Sequence, residues 1–159
     1  MAVKKIFGID PGTAITGFGV IESGDNPKFI TAGVIRTPAK QALELRLETI
    51  YKDLAELLEE HQPDEVAIEQ LYFAANVTTA MAVSHARGAA MLACVHSGVD
   101  LSEYTPLQIK QALTGYGRAD KQQIQEMVRV MLGLGSIPKP DDAADALAVA
   151  ICHAQVINT

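Results

Sequence analysis

The chain has 159 residues, 48% of them hydrophobic and 20% charged, with a formal net charge of −6. That length and composition suit one compact globular domain, 1–159, with enough apolar material for a sizeable core. The acidic balance argues against a general polyanion binder, whose footprint would be basic, but leaves room for a local basic patch.

After Met1-Ala2-Val3-Lys4-Lys5 the first apolar stretch ends at Asp10, too short for a signal sequence. No segment approaches the roughly 18 apolar residues of a spanning helix. The two cysteines, Cys94 and Cys152, sit in apolar helical runs without CxxC spacing, as buried free thiols of a reducing compartment do. A cytoplasmic protein without a membrane partner is the expectation.

Taken in order, Val3–Asp10, Gly17–Ser23 and Phe29–Thr37 read as three strands. Pro11-Gly12 and Gly24-Asp25-Asn26-Pro27 mark the turns of an antiparallel meander. From Gln41 to Glu60 the period changes. Leu43, Leu47, Ile50, Leu54 and Leu57 form one stripe of an amphipathic helix that ends before Pro63. Asp64–Gln70 is a buried strand, placed parallel beside the first by its helical crossover. Thr78–Val95 is a helix rich in alanine and glycine, which suits close packing within the core or across a subunit boundary. Leu101–Thr105 is a fifth strand. Leu107–Leu113, Lys121–Leu132 and Asp142–Val156 are helices, the last entered through Pro138-Lys139-Pro140. The fold class is α/β, a mixed five-stranded sheet flanked by helices.

Four acids interrupt this apolar pattern. Asp10 and Glu69 close strands, and Asp142 and Asp145 share a face of the last helix's first turn. Parallel neighbours about 4.8 Å apart would aim Asp10 and Glu69 into one crevice at the carboxyl edge of the sheet. Like charges about 4 Å apart repel by roughly 4 kcal/mol at an effective dielectric of 20, so several such pairs rival a domain's whole stability. A divalent cation reverses that sign, and carboxylates without His or Cys suit Mg²⁺ or Mn²⁺. Two such ions would serve phosphodiester cleavage. The plainer alternative makes Asp142 an N-cap, Asp145 a partner of the helix dipole and Asp10 a turn residue, but gives Glu69 no comparable role.

Gly8-Ile9-Asp10-Pro11-Gly12-Thr13 with Gly17-Phe18-Gly19-Val20, Ala67-Ile68-Glu69-Gln70, and Asp142-Ala143-Ala144-Asp145-Ala146-Leu147-Ala148 closely resemble the RuvC family of Holliday junction resolvases. The resemblance spans essentially the whole chain. It implies a ribonuclease H-like fold and a homodimer that resolves four-way junction DNA by paired, symmetric nicks in recombination and repair. It also implies Mg²⁺ or Mn²⁺, as two ions per site, and work alongside the RuvA–RuvB branch-migration complex. By motif match Asp10, Glu69, Asp142 and Asp145 become metal ligands and catalytic residues, with Asp10 between the ions. Asp141 is left as a possible cap.

Lys110, Arg118, Lys121 and Arg129 form a local basic supply. The stretch Gly115-Tyr116-Gly117-Arg118-Ala119-Asp120-Lys121 resembles the family's loop, which makes Lys110, Arg118 and Lys121 candidates for DNA contact and Lys121 a candidate for stabilising charge at the scissile phosphate. Tyr72 and Phe73 follow Glu69, and either ring could stack on an unpaired base at the junction centre. His61, His85, His96 and His153 lack ligand spacing and read as structural or surface residues. Asp10-Pro11-Gly12-Thr13 also resembles the phosphate loop of actin-like ATPases and sugar kinases. Those need two such domains, and no Walker Gly-Lys-Ser/Thr motif is present.

Overall fold

The computed structural model describes residues 2–70 and 77–158. Strands β1 (Lys5–Asp10), β2 (Ile15–Glu22) and β3 (Lys28–Arg36) pair antiparallel in sequence, as their short connections dictate. Helix α1 (Leu43–His61) leads to β4 (Glu65–Glu69), parallel beside β1. Helix α2 (Val77–Ser97) leads to β5 (Asp100–Tyr104), parallel beside β4. The sheet order is therefore β3-β2-β1-β4-β5. Helices α3 (Pro106–Thr114), α4 (Lys121–Met131) and α5 (Asp141–Ile157) complete the chain. This is the mixed five-stranded α/β arrangement expected, with differences only at element ends.

Side chains alternate across the sheet and divide the core in two. On one face Phe7, Ile9, Val66 and Ile68 pack against Ile50 and Leu54 of α1 and the alanines of α2. On the other, Ile6 and Ala67 meet α3, α4 and α5 through Ile109, Val128, Leu147 and Ile151. Asp10 and Glu69 share the parity of Ile6 and Ala67, so both are carried on the α5 face.

Two helices depart from the sequence reading. In α1 the buried residues are Ile50, Leu54 and Leu58, while Leu43 in the first turn is 39% exposed. A strict alternation of four and three drifts off a 3.6-residue period, which moves burial from Leu57 to Leu58. In α5 neither Asp142 nor Asp141 is the N-cap. Pro140 holds that position without a side-chain bond, and both acids lie inside the first turn, where the helix dipole favours them.

The small residues of α2 serve the core: Ala80, Ala86, Ala90 and Ala93 are buried. His153 is structural, as expected. It is buried in α5, with Nδ1 hydrogen-bonded to the Tyr104 hydroxyl at 2.6 Å and Nε2 to Glu65 Oε1 at 3.2 Å. Cys94 and Cys152 are buried free thiols. Among the described residues no helix is long and apolar enough to cross a membrane.

Candidate active site

The acidic cluster is built from three pieces of backbone. β1 and β4 pair through Ile9 and Ile68, so Asp10 and Glu69 follow on adjacent strands at the same edge. Helix α5 crosses this edge with its first turn above Asp10. Glycines allow that approach: a Cβ on Gly17 would stand 1.9 Å from the Asp142 carbonyl oxygen, and one on Gly8 2.1 Å from that of Ala146. Gly17 is the register partner of Asp10. The sequence motif had included these glycines without showing that their missing side chains seat the helix.

Carboxylate oxygens of Asp10, Asp142 and Asp145 all lie within 4.8 Å of one another, close enough to hold a metal ion. Glu69 falls outside that triplet yet acts on the same space. Burial first, then the charges of Glu69, Asp145 and Asp142, push Asp10 up to about 9. Burial, then Asp145, raise Glu69 to about 7 against the opposing pull of Lys110 and Lys121. Burial also raises Asp145, with the Lys121 charge acting against it. An all-oxygen donor set of crowded, half-buried carboxylates fits a hard divalent cation, which supplies the positive charge that the protein itself withholds.

The basic candidates divide. Lys110, on α3, and Lys121, at the start of α4, line a cavity of about 250 Å³ together with Glu69 and Asp145. Each lysine is presented by a capped helix. Thr105 caps α3 by a reciprocal pair with Gln108, and Asp120 caps α4 by one with Gln123. Both patterns stand in the sequence as a polar residue followed three later by Gln, a signal the sequence reading passed over. Lys121 Nζ lies 3.4 Å from Asp141 Oδ2 and 3.7 Å from Asp145 Oδ2. Lys139 Nζ holds the other Asp141 oxygen at 3.3 Å. Arg118 is exposed between α3 and α4 and does not line the cavity. Arg129 is paired with Glu126 on the surface of α4. Tyr72 and Phe73 lie outside the described residues.

A larger cavity, about 460 Å³, opens at the opposite edge of the sheet between the ends of α1 and α2. Its acids Glu59 and Asp64 are exposed and gather no comparable cluster.

Known proteins share this fold. The family model described as crossover junction endodeoxyribonuclease RuvC matches residues 6–153. A relative of that name from Desulforamulus reducens is 57% identical over 155 residues, covering 97% of this chain and 95% of its own length. One from Alkaliphilus metalliredigens is 56% identical over 150 residues, covering 94% of this chain and 92% of its own. Among solved structures, Thermus thermophilus RuvC superposes with a TM-score of 0.90 at 34% identity, over 97% of this chain and 95% of that one. T. thermophilus RuvC in complex with Holliday junction substrate does so with a TM-score of 0.92 at 35% identity, over 97% and 94% of the two chains. These likenesses span the ribonuclease H-like sheet and nearly the whole chain, and the chain belongs to the RuvC family of crossover junction endodeoxyribonucleases.

Proposed function

We propose that this chain is a metal-dependent endonuclease, built as a single domain, that resolves four-way DNA junctions by paired symmetric nicks in recombination and repair. One observation carries the reading: the Asp10, Asp142 and Asp145 oxygens converge within 4.8 Å at a sheet edge in a chain of this family.

Asp10, Glu69, Asp142 and Asp145 are the residues that would hold Mg²⁺, with Mn²⁺ able to substitute and two ions per site. When bound, such ions would supply the charge that activates a water and stabilises the leaving oxygen in phosphodiester cleavage. The protein supplies placement. Asp10 lies between the sheet and the helix, Asp142 and Asp145 approach from α5, and Glu69 closes the side lined by Lys110. That lysine, partly buried on α3, offers a fixed positive charge to a backbone phosphate.

Lys121 is held by Asp141 and Asp145 through an exposed ion pair. Exposed pairs are worth about 1 kcal/mol or less, so an entering phosphate can draw the ammonium to its own oxygens. Lys121→Met is expected to slow single-turnover nicking about 10²-fold, the usual cost of one charge-stabilising donor. Junction affinity should change far less. Equal losses in rate and affinity would make Lys121 a binding contact only. Arg118, exposed beside this rim, and the rings of Tyr72 and Phe73 are assigned to DNA contact.

The chain acts as a homodimer in this reading. Met81, His85, Gly88, Leu92 and Val95 of α2 are all exposed and recur at intervals of four and three, the spacing of a helix-pairing seam. A Cβ at Gly88 would meet nothing within 4 Å, which leaves room for a second copy's backbone. The RuvA–RuvB complex is its partner in the cell, and the unbridged buried thiols suit the cytoplasm.

The function is tested with a labelled four-way junction and purified protein. Symmetric nicks with Mg²⁺ or Mn²⁺, none in EDTA, and binding that weakens steeply with salt are the expected results. A folded protein that binds Mn²⁺ and leaves the junction intact would overturn the reading.

A further inference from the structure

We propose that Arg87 is a positioning residue for Glu69, acting through the main chain of β4 from the face of the sheet opposite the carboxylates. The proposal rests on the reading of the acidic cluster as a metal centre.

Arg87 is a largely buried cation in a helix with no other lysine or arginine and no acidic residue, its side chain 16% exposed. Its guanidinium makes three different contacts. Nε donates to the Glu69 carbonyl oxygen at 3.4 Å, Nη2 pairs with Glu103 Oε1, and Nη1 lies 3.7 Å from Met91 Sδ. Glu103 stands on β5 as the register partner of Ile68. Its side chain therefore shares the α2 face with Ile68, while the Glu69 carboxylate points to the α5 face. Arg87 spans the ends of β4 and β5 from behind.

β4 needs such a clamp where it ends. The Gln70 amide donates to the Tyr104 carbonyl at 2.7 Å, the last backbone bond joining β4 to β5 among the described residues. The Glu69 carbonyl in the same stretch accepts from Arg87. A planar fork held by Glu103 can fix that carbonyl in a way a lysine cannot, because one ammonium offers no rigid second donor. The guanidinium meets the Glu69 main chain from the α2 face, while the Glu69 carboxylate stands on the α5 face. The influence of Arg87 runs through backbone geometry.

The test compares wild type, Arg87→Gln, Arg87→Lys and Glu103→Gln by three readouts. These are amide exchange of residues 65–70 in metal-free protein, Mn²⁺ affinity by calorimetry, and single-turnover nicking at limiting and saturating Mn²⁺. For R87Q, exchange at Gln70 should rise while β1 stays protected, and Mn²⁺ binding should weaken by about tenfold, as loss of a residue that orients a ligand commonly does. Nicking should fall at limiting Mn²⁺ and recover largely at saturation, with junction affinity unchanged. R87K should resemble R87Q, and E103Q should shift the same readouts in the same direction by less.

Wild-type Mn²⁺ affinity and exchange in R87Q would overturn the proposal. Should R87Q fail to fold, wild-type values in both R87K and E103Q would overturn it equally. Absence of Mn²⁺ binding by the wild type would instead remove the metal-centre reading itself.

Discussion

Asp10→Asn is expected to bind a four-way junction with near wild-type affinity and to nick it at least about 10³-fold more slowly, because losing a carboxylate of the proposed metal centre would remove several kcal/mol of transition-state stabilisation. The same substitution should make the metal-free protein more stable. Asp10 is crowded by Asp142, Asp145 and Glu69 and is held near 9 rather than its ordinary 3.8. Between those values the folded chain binds a proton that the unfolded chain has released. The stabilising contribution is complete below about pH 4 and is lost as pH rises through about 9. Glu69, raised to about 7, adds the same sign over a narrower window. In EDTA the wild-type melting temperature should therefore fall from acid to alkaline pH, and that of D10N should fall less. Mn²⁺ should reverse the slope, since its binding displaces those protons and strengthens as pH rises. Thermal melts across this range with and without Mn²⁺ check the prediction. A wild-type melting temperature in EDTA that rises steadily with pH would contradict the electrostatic account.

Asp10 and Glu69 were legible in the sequence because each ends an apolar strand at a point where local geometry alone decides direction. Period-two alternation fixes the face, and a helical crossover fixes the parallel neighbour. Asp142 and Asp145 were legible as a pair three apart, but their height above the sheet was not, since it depends on the glycine contacts under α5. The plainer alternative of Asp142 as a cap fails because capping preference is local, whereas Pro140 already occupies that position and brings Asp141 into the first turn. The Lys121–Asp141 pair joins α4 to α5 and leaves no mark in spacing. Arg87 was missed for the same reason. A single cation in an alanine-rich helix has no periodic signature, and its partners Glu69 and Glu103 lie on other elements. The exposed seam of Met81, His85, Gly88, Leu92 and Val95 was present in the sequence from the start. It emerged only once Ala86, Ala90 and Ala93 were known to face the core.

Gly17→Ala is expected to lower nicking about 10²-fold or more, the scale of loss that a 1 Å misplacement in an active site can cause. The added methyl would lie 1.9 Å from the Asp142 carbonyl oxygen and 2.5 Å from its carbon, both backbone atoms. No rotamer change relieves a contact with backbone, so the start of α5 must lift from β2. Asp142 rises with it, away from Asp10 on the neighbouring strand, and the triplet of oxygens opens. Overpacking of this kind costs about 1–3 kcal/mol of stability, which lowers the melting temperature but leaves a domain of this size able to fold. Gly19→Ala makes a useful contrast, because its nearest contacts are the Leu147 side chain at 2.6 and 2.7 Å. A side chain can adjust where a carbonyl cannot, so G19A should lose stability while keeping more of its Mn²⁺ affinity. Gly135→Ala, with nothing within 4 Å of the new methyl, is the neutral reference. Calorimetric Mn²⁺ titration beside single-turnover nicking separates the three. A G17A protein with wild-type metal affinity and rate would mean that α5 has slack over the sheet, and that close packing of helix on glycine does not set the geometry of the carboxylates.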